Sequence, residues 1–429
     1  MQLLWPYLLL LLALGWFYVA RRRRALRTFT ERLQRSVEAG LAEPASLHPR
    51  TDPLRCLGSG ACVKACPEQA LGIIDGKAAL VDAAACIGHG ACRAACPTEA
   101  IELVFGTEKR GIEIPHVSPS FETNVPGIFI AGELGGMGLI RKAAEQGRQA
   151  VGHLRQRTRG AFDLDVVIVG CGPAGLSAGL AAMQHRLRYR LIEQEASLGG
   201  AVFHYPRHKV AMTAPVELAL VGKIRFSEVR KEALLDFWNQ VVSTTGLEIH
   251  FRECMQAVQP EGDGFVVHTS RGTHRTRSVL LAMGRRGTPR KLEVPGEESP
   301  KVVYRLTDAA QYDGRHVLVV GGGDSALEAA VALAERPGTQ VTLSYRGAAF
   351  SRVKPKNRQA LDEAQRGAQL RVLLESAVEA IEPDHVRLQT TAGPTRLPNE
   401  AVIVCAGGLL PTPLLRQMGV HFETKHGQA

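Results

Sequence analysis

The sequence has no Cys-x-x-Cys pair anywhere in its 429 residues, although it contains nine cysteines. Without such a pair the chain lacks the dithiol that exchanges with protein disulfides, so that chemistry is not expected. Basic residues outnumber acidic ones by ten. No basic stripe alternates with aromatic side chains, however, so nucleic-acid binding is not expected. The N-terminus also lacks the basic n-region and the small-x-small cleavage site of a signal peptide.

One long apolar run opens the chain. Leu3–Ala20 comprises 18 uncharged, mostly apolar residues, close to the ~20 that cross a bilayer as a helix, and Arg21–Arg24 follows directly. A basic block after such a run keeps the following chain in the cytoplasm. The sequence therefore predicts a transmembrane anchor with an arginine stop over residues 1–24 and a cytoplasmic linker over 25–49. The protein would be a single-pass protein of the cell inner membrane, with its catalytic domains in the cytoplasm.

Six of the nine cysteines lie within 41 residues, from Cys56 to Cys96. In a cytoplasmic chain this density does not indicate a disulfide framework and favours metal or cluster ligation. The other three, Cys171, Cys254 and Cys405, are isolated and are expected to be small buried side chains.

The cysteine-rich stretch is an internal repeat of 30 residues. CLGSGACVKACPEQAL begins at Cys56 and CIGHGACRAACPTEAI begins at Cys86, and a short apolar segment follows in each copy. One such unit cannot bury its apolar face without its twin. The two copies are therefore expected to form one small domain, over residues 50–106.

The repeat resembles the two-cluster bacterial ferredoxin domain, whose unit is C-x2-C-x2-C-x3-C-P. In that family the fourth cysteine of each unit ligates the cluster of the other unit. The resemblance implies a small α+β domain with two iron–sulfur clusters, 4Fe–4S or 3Fe–4S, held by soft thiolate ligands. It implies one ligand set of Cys56, Cys62 and Cys96, and a second set of Cys86, Cys92 and Cys66.

The second cysteine of the family's unit is missing from both copies. Ser59 takes its place in the first copy and His89 in the second. Both corners could be empty, which would give 3Fe–4S clusters or none. Alternatively, His89 coordinates the fourth iron, which would raise the potential of that cluster as histidine does in Rieske centres, and Ser59 is a weaker candidate ligand. A bare zinc site is the structural alternative.

A first glycine-rich turn follows the apolar run DVVIVG, in the strand–turn–helix context of a dinucleotide fingerprint. Glycines let the backbone approach a pyrophosphate, whose charge the helix N-terminus attracts. An acid about 20 residues further on can accept a hydrogen bond from a ribose hydroxyl. The residues expected to bind this nucleotide are Gly170, Gly172, Gly175 and Glu193.

A second fingerprint lies in HVLVVGGGDSALEAA, where the expected nucleotide-binding residues are Gly321, Gly323, Asp324 and Ala326. The strand after it ends without an acid, and Arg346 stands there instead, with Arg352 following. Positive charge at this place favours a 2′-phosphate, which predicts NADPH and leaves NADH open. The alternative is that these arginines belong to a solvated basic face.

Two nucleotide folds in this order resemble the thioredoxin-reductase-like flavoproteins. SVLLAMGRRGTPRKLEVPGE and AVIVCAGGLLPTPLL are similar to the family's two crossings between domains, and PRHKVAMTAPVELALVGK is similar to its bacillithiol-disulfide-reductase-like members. The resemblance implies an FAD domain over 163–298, an NAD(P)H domain over 299–396 and a return to the FAD domain over 397–429. The predicted fold class is α/β, with two Rossmann-like dinucleotide-binding domains, a small α+β ferredoxin-like domain and one N-terminal transmembrane helix.

One part of the family pattern is out of order. In the family, the return crossing leads into a strand ending in A-G-D, whose acid holds the flavin's ribityl chain, and then into a helix. Here TNVPGIFIAGE and GLIRKAAEQGRQAVGHL precede the first fingerprint, with Gly132 and Glu133 at the place of that motif. We interpret residues 109–158 as the C-terminal segment of the FAD domain, moved by circular permutation. The alternative is a stray strand and helix of the ferredoxin-like domain.

These features predict an enzyme that passes electrons between NADPH, FAD and its clusters, to or from a protein or membrane electron carrier. No catalytic base stands out, because His204, His208 and His316 lack a triad-like context. One alternative is an NADPH-dependent reductase of a small disulfide or quinone at FAD, with vestigial clusters. Another is a membrane-tethered redox sensor. The expected partners are an electron-carrier protein or membrane redox component and the membrane itself, and a homodimer stays open.

Overall fold

A computed structural model shows two compact units. The first comprises residues 1–112, 347–362 and 425–429, and the second comprises 113–346 and 363–424. The structure describes residues 5–38, 42–44, 47–86, 88, 90–108, 111–136, 138–157, 162–205, 207, 209–212, 215–226, 228–285, 289–350, 353–367, 369–409 and 411–427.

The first unit is a small α+β domain preceded by a long helix. Its elements are α1 (Trp5–Glu38), β1 (His48–Thr51), α2 (Ala61–Ala65), β2 (Leu71–Ile74), β3 (Lys77–Leu80), α3 (Ala91–Ala94) and β4 (Ile101–Val104). Strands β1 and β4 pair antiparallel, as do β2 and β3. Each copy of the repeat forms one short helix, and the glycines before them, Gly60 and Gly90, share a left-handed φ of 73° and 77°. Both copies thus turn in the same way at the same position.

No helix among the described residues is long and apolar enough to cross a membrane. The predicted transmembrane anchor over residues 1–24 is therefore not confirmed. The described part of α1 begins at Trp5. The helix also continues past the arginines to Glu38, through part of the predicted linker, and packs on β2 where Phe29 covers Gly72.

The second unit begins with a five-stranded parallel sheet. Its strand order is β13-β8-β7-β17-β6, and β7 is an uninterrupted apolar run that is fully buried, as expected of a central parallel strand. The elements of this part are β5 (Ile112–Pro115), β6 (Ile128–Ile130), α4 (Ile140–Leu154), β7 (Val166–Val169), α5 (Pro173–Gln184), β8 (Tyr189–Glu193), β9 (Val210–Met212), β10 (Val216–Leu218), β11 (Gly222–Ile224), β12 (Glu228–Arg230), α6 (Lys231–Thr245), β13 (His250–Phe251), β14 (Met255–Glu261), β15 (Gly264–Thr269), β16 (Gly272–Thr276) and β17 (Val279–Leu281).

A second five-stranded parallel sheet follows, with the order β18-β25-β19-β20-β21. Each parallel sheet is accompanied by a three-stranded antiparallel sheet, β14-β15-β16 in the first part and β22-β23-β24 in the second. The predicted α/β class is confirmed. The elements are β18 (Val302–Val303), β19 (His316–Val320), α7 (Asp324–Ala334), β20 (Gln340–Ser344), α8 (Pro355–Gln365), β21 (Leu370–Leu373), β22 (Ala377–Ile381), β23 (His385–Thr390), β24 (Gly393–Pro398), β25 (Ala401–Val404), α9 (Thr412–Gln417) and β26 (Phe422–Lys425).

The segment before the first fingerprint lies inside the first parallel sheet. Strand β6 pairs in parallel with β17, so that Phe129 faces Leu280. Helix α4 packs on α5 so closely that a Cβ added at Gly147 would lie 2.0 Å from the carbonyl oxygen of Ala174. Strand β5 pairs with β26, from the other end of the chain. Residues from both sides of the fingerprint therefore complete one fold.

A buried ionic network joins this segment to the sheet. The Arg277 side chain, 2% exposed, donates to the carbonyl oxygen of Arg157, whose own guanidinium pairs with Glu122 at 3.0 Å. Asp165 lies 3.8 Å from Arg277 and accepts two hydrogen bonds from the Arg188 side chain. Burial opposes ionisation of Asp165, but the bonds from Arg188 outweigh it and lower its pKa. The network thus fixes the end of the α4 segment against β7.

Glu253 is the centre of a second buried network, beside β13. Its carboxylate is 1% exposed and accepts from Arg190 at 2.8 Å, from Thr269 at 2.8 Å and from the His274 ring at 2.7 Å. Burial alone would raise the pKa of Glu253, but these bonds lower it to about 2. Folding lowers this pKa. The stabilisation is therefore complete at pH values above the ordinary pKa of glutamate, and it is lost as the pH falls towards 2.

We therefore expect Glu253→Gln to lower the free energy of unfolding by about 3 kcal/mol at pH 7. The difference from the unaltered protein should shrink to less than half at pH 3, as measured by urea unfolding at both pH values. Glu261→Gln is the control, because its ion pair with Arg275 is 41% and 49% exposed and should contribute less than about 1 kcal/mol. A difference for Glu253→Gln that does not change with pH would contradict the network.

Candidate cofactor sites

Two small cavities in the first unit are lined by cysteines from both copies of the repeat. Cavity A is lined by Cys56, Cys62 and Ser59 from the first copy and Cys96 from the second. Cavity B is lined by Cys86 and Cys92 from the second copy and Cys66 from the first. These are the two crossed sets that the ferredoxin resemblance implies. The crossing arises because α2 and α3 pack together, which brings the last cysteine of each copy to the other copy's loop.

Cavity A offers hydrogen-bond donors to its sulfur atoms. The N–H of Ala78 donates to Cys56 Sγ at 3.4 Å, and the N–H of Ala100 donates to Cys96 Sγ at 3.3 Å. The Thr98 hydroxyl lies 3.7 Å from Cys96 Sγ. Burial opposes ionisation of Cys96, but the donors of Thr98 and Ala100 outweigh it and lower its pKa. Such a cage fits thiolate ligands, since hydrogen bonds to sulfur stabilise an iron–sulfur core.

In cavity B, burial acts on the thiols of the second copy. Burial, together with the charges of Cys66 and Glu68, raises the pKa of Cys86, and burial raises the pKa of Cys92 to about 11. Thiols that burial keeps protonated become thiolates when they bind a cationic centre, because the metal compensates for the lost hydration. This donor set also fits an iron–sulfur cluster.

The fourth corner of each cavity is only partly described. Ser59 lines cavity A, and its hydroxyl accepts from the N–H of Ala61 at 3.5 Å. His89 lies outside the described residues, and its ligation stays a prediction. Among the residues that the structure describes, no three His, Cys, Asp or Glu side chains are placed to hold a single metal ion. The bare zinc site stays an alternative from the sequence.

The first glycine loop connects β7 to α5. A Cβ at Gly170 would lie 2.7 Å from the carbonyl oxygen of Ala282, and one at Gly175 would lie 1.8 Å from that of Gly170, so both positions need glycine. A Cβ added at Gly172, in contrast, would meet no atom closer than 3.9 Å, which leaves the loop open to a phosphate group. Glu193, at the end of β8, holds the loop by accepting from the N–H of Cys171 at 2.7 Å.

Gly132 and Glu133 follow β6 after one intervening residue, Ala131. Since β6 and β7 run parallel in one sheet, this turn lies at the same carboxyl edge as the first glycine loop, where ligands bind in such sheets. Gly132 has a φ of 85° and donates its N–H to the side chain of Gln146 on α4 at 2.8 Å. Glu133 begins a short 3-10 turn, and its carboxylate lies beside Gly138.

The second glycine loop connects β19 to α7. Gly321 has a φ of 147°, and a Cβ there would lie 2.4 Å from the carbonyl oxygen of Cys405. Gly323 is open on its outer side, Ala326 is fully buried and Asp324 begins α7. Sequence reasoning missed Tyr345, whose ring occupies the space next to Gly322. The signal was Gly322 itself, an extra glycine between the fingerprint positions Gly321 and Gly323, which indicates that a bulky group covers this loop.

Arg346 follows β20 and has an exposed side chain, so it can reach a 2′-phosphate. Arg352 lies outside the described residues. Of the two arginines predicted for this site, Arg346 is therefore the one that the structure describes.

The three isolated cysteines were predicted to be small buried side chains. No disulfide joins any of the nine cysteines, all of which the structure describes, and Cys171 is fully buried, which raises its pKa. Cys254, however, is exposed and Cys405 is half-buried, so the prediction of buried side chains is wrong for Cys254 and only partly right for Cys405. Cys254 directly precedes β14 and Cys405 directly follows β25, so both lie at strand ends, where a side chain can turn outward.

Among the histidines singled out in the sequence, none has a catalytic arrangement in the described structure. His204 lies 3.7 Å from Glu195, and His316 lies 3.5 Å from Glu400 at the start of β19. His208 lies outside the described residues.

Two protein families account for most of the chain. Residues 167–428 match the family described as pyridine nucleotide-disulphide oxidoreductase, and residues 48–97 match the 4Fe-4S dicluster domain. The first match covers both glycine loops, and the second covers all six cysteines of the two cavities. Together they confirm FAD and NADP as cofactors of the family and iron–sulfur clusters as those of the N-terminal domain.

Several characterised proteins are similar over part of their length. A ferredoxin--NADP reductase of Pediococcus pentosaceus is 32% identical over 233 residues, which are 52% of this chain and 66% of that protein. One from Ignicoccus hospitalis is 33% identical over 42% of this chain and 56% of that protein. The chain thus spans less than two thirds of the length of either reductase. Bacilliredoxin reductase Bdr of Bacillus subtilis is 27% identical over 61% of this chain and 82% of that protein.

Two solved structures are similar to this chain in fold. The structure of bacillithiol disulfide reductase Bdr from Bacillus cereus superposes with a TM-score of 0.55 at 25% identity, covering 60% of this chain and 82% of that one. The Staphylococcus aureus protein of that name gives a TM-score of 0.52 at 23% identity over 59% of this chain and 79% of that one. With its family match over residues 167–428, the chain belongs to the pyridine nucleotide-disulphide oxidoreductases and carries an N-terminal 4Fe-4S dicluster domain.

Proposed function

We propose that this chain transfers electrons between NADPH and a one-electron carrier protein of the ferredoxin type, in one direction or the other, through FAD and two iron–sulfur centres of its own. The observation that carries the proposal is the presence, in one chain, of two glycine-loop folds and two cysteine-lined cavities. The similarity to ferredoxin--NADP reductases supports the choice of carrier.

The residues divide the work between four places. NADPH and FAD supply hydride transfer when bound, and iron–sulfur centres exchange single electrons. The loop at Gly172 and the carboxylate of Glu193 would hold the pyrophosphate and ribose of FAD, and Glu133 would hold its ribityl chain. The loop at Gly323 and the guanidinium of Arg346 would hold the phosphates of NADPH. No side chain of the described structure needs to act as a base.

We also propose that residues 109–158 are the C-terminal segment of the FAD domain, placed ahead of it by circular permutation. The pairing of β6 with β17 and the packing of α4 on α5 support this origin, because sheet contacts do not depend on which peptide bond is cut. A consequence is that a short stretch after residue 106 joins the cluster domain to the segment carrying Glu133. Such a tether raises the effective concentration of one site at the other.

Arg346 provides a test of the nucleotide assignment. We expect Arg346→Gln to lower kcat/KM for NADPH about tenfold and to leave kcat/KM for NADH unchanged, because a 2′-phosphate loses a charge-assisted hydrogen bond. Arg315→Gln, at the opposite end of β19, is the matched control and should change neither value. Equal losses with both nucleotides would show that Arg346 does not contact the 2′-phosphate.

The stoichiometry of reduction tests the function. The proposal predicts that complete reduction under anaerobic conditions consumes about two equivalents of NADPH, one for FAD and one for the two iron–sulfur centres. Direct reduction of a small disulfide or quinone at FAD, which the similarity to Bdr would favour, predicts one equivalent. A protein that acts only as a sensor predicts no turnover with a carrier. One equivalent, or no turnover, would overturn the proposal.

The location at a membrane and the homodimer stay predictions from the sequence.

A further inference from the structure

Among the matched positions at which the two copies of the cysteine repeat differ in charge, one lies beside the last cysteine of each copy. Each copy continues from its last cysteine into a proline and then a third residue, which is Glu68 in the first copy and Thr98 in the second. The two residues before this position match, Cys66-Pro67 with Cys96-Pro97, whereas the residue after it is Gln69 in the first copy and Glu99 in the second. An internal duplication that keeps the ligands and changes the residue beside them allows the two sites to be compared within one chain.

Thr98 faces cavity A. It lines this cavity, and its hydroxyl lies 3.7 Å from Cys96 Sγ, where it can donate to a ligand sulfur. The N–H of Ala100 reaches the same sulfur at 3.3 Å. The residue in this place therefore presents positive partial charge to the centre held by Cys56, Cys62 and Cys96.

Glu68 faces cavity B in the equivalent way. It lines this cavity together with Cys66, and its carboxylate is one of the charges that act on the Cys86 thiol. A carboxylate cannot donate a hydrogen bond, and it presents negative charge to the centre held by Cys66, Cys86 and Cys92.

Lys77 adds to the difference on the side of cavity A. Its ammonium group donates to the carbonyl oxygen of Cys56 at 2.7 Å, next to a ligand of that cavity. The residue 30 positions later is Thr107, which carries no charge. Cavity A thus has an ammonium group and a hydroxyl donor close by, where cavity B has a carboxylate.

An iron–sulfur centre gains one negative charge when it takes up an electron, so nearby positive charge raises its reduction potential and nearby negative charge lowers it. We propose that residues 68 and 98, supported by Lys77, give the two centres unequal potentials. Thr98 and Lys77 raise the potential at cavity A, and Glu68 lowers it at cavity B. These are positioning residues, because they act through the ligands and touch no substrate. The inference rests on the proposed binding of a centre in each cavity.

Exchange of the two residues is the test, with His89 unchanged in every variant. The midpoint potentials of the full-length holoprotein are measured by EPR during titration with dithionite. Thr98→Glu is expected to lower one midpoint and Glu68→Thr to raise the other, each by the equivalent of about a tenfold change in electron occupancy, which is about 59 mV for one electron. Lys77→Gln should lower the same midpoint that Thr98→Glu lowers.

Two further variants keep the test decisive. Glu99→Gln, one residue beyond Thr98, removes a carboxylate that is 89% exposed, and it should move neither midpoint. Glu68→Gln removes the charge at nearly constant volume and should reproduce the shift of Glu68→Thr if the latter folds poorly.

Because dithionite supplies the electrons, the midpoints are independent of NADPH turnover, so a failure of the proposed function would not affect them. Midpoints that stay fixed, shifts of one and the same midpoint by both exchanges, or protein without iron would overturn the inference.

Discussion

Replacing Gly147 with alanine is expected to lower the free energy of unfolding of the flavin-binding unit by about 3 kcal/mol and to remove most of its FAD. The added methyl group would lie 2.0 Å from the carbonyl oxygen of Ala174 and 3.2 Å from its Cα, and both are backbone atoms of α5. Helix α4 must therefore move away from α5. Because α5 begins at the first glycine loop, that displacement also changes the surface on which the pyrophosphate would lie.

The matched control is five residues further along the same helix. Gly152 has no atom within 4 Å of an added Cβ, so Gly152→Ala should raise the free energy of unfolding by about 0.5–1 kcal/mol, as alanine does in a helix interior. The measurements are thermal unfolding and the flavin-to-protein ratio of the purified variants. Effects of the same sign at both positions would show that α4 does not pack on α5 as described, and the permuted segment would then have no part in the FAD site.

Removal of one cysteine from either cavity should affect electron transfer to the carrier more than any other single substitution proposed here. We expect Cys62→Ala and Cys92→Ala each to lower the iron and sulfide content by about half and to slow reduction of a ferredoxin-type carrier by about 100-fold. Both side chains are buried in their cavities, so a lost thiolate cannot be replaced from the surface. Bleaching of the flavin by NADPH should keep its rate, because the glycine loops belong to the other unit.

Cys254→Ala serves as the control for these variants, since Cys254 is exposed and lies in the second unit. It should retain iron, flavin and carrier reduction. Rapid carrier reduction by a Cys62→Ala, Cys92→Ala double variant would mean that electrons leave directly from the flavin, and the centres would then have no place in the route.

Local patterns were sufficient to predict the parts of the sites that depend on short-range geometry. The 30-residue repeat and its resemblance to ferredoxins predicted which cysteines share a cavity, and the structure places Cys96 with Cys56. The glycine spacing predicted both loops, because a tight strand-to-helix turn excludes side chains at Gly175 and Gly321. Strand β6 lies beside β17 in the first parallel sheet, as expected if its segment belongs to the FAD domain.

Features that depend on contacts between distant residues could not be predicted in this way. The ring of Tyr345, just after the neighbouring strand β20, covers Gly322, and the glycine indicates only that a bulky group lies there, not which residue supplies it. Helix α1 continues to Glu38 where a linker was predicted, because Phe29 packs on Gly72 some 40 positions later in the sequence. The difference between Glu68 and Thr98 is visible in the sequence, but only the cavities show that both residues face the ligands.

The most direct test of the proposed route is the EPR spectrum of the anaerobic holoprotein after rapid mixing with NADPH. If flavin and clusters form one electron-transfer chain, the flavin absorbance falls first and the signal of reduced iron–sulfur centres then rises in the same sample, without dithionite. A flavin that bleaches fully while the iron–sulfur signal stays absent, in protein that dithionite can still reduce, would contradict the account.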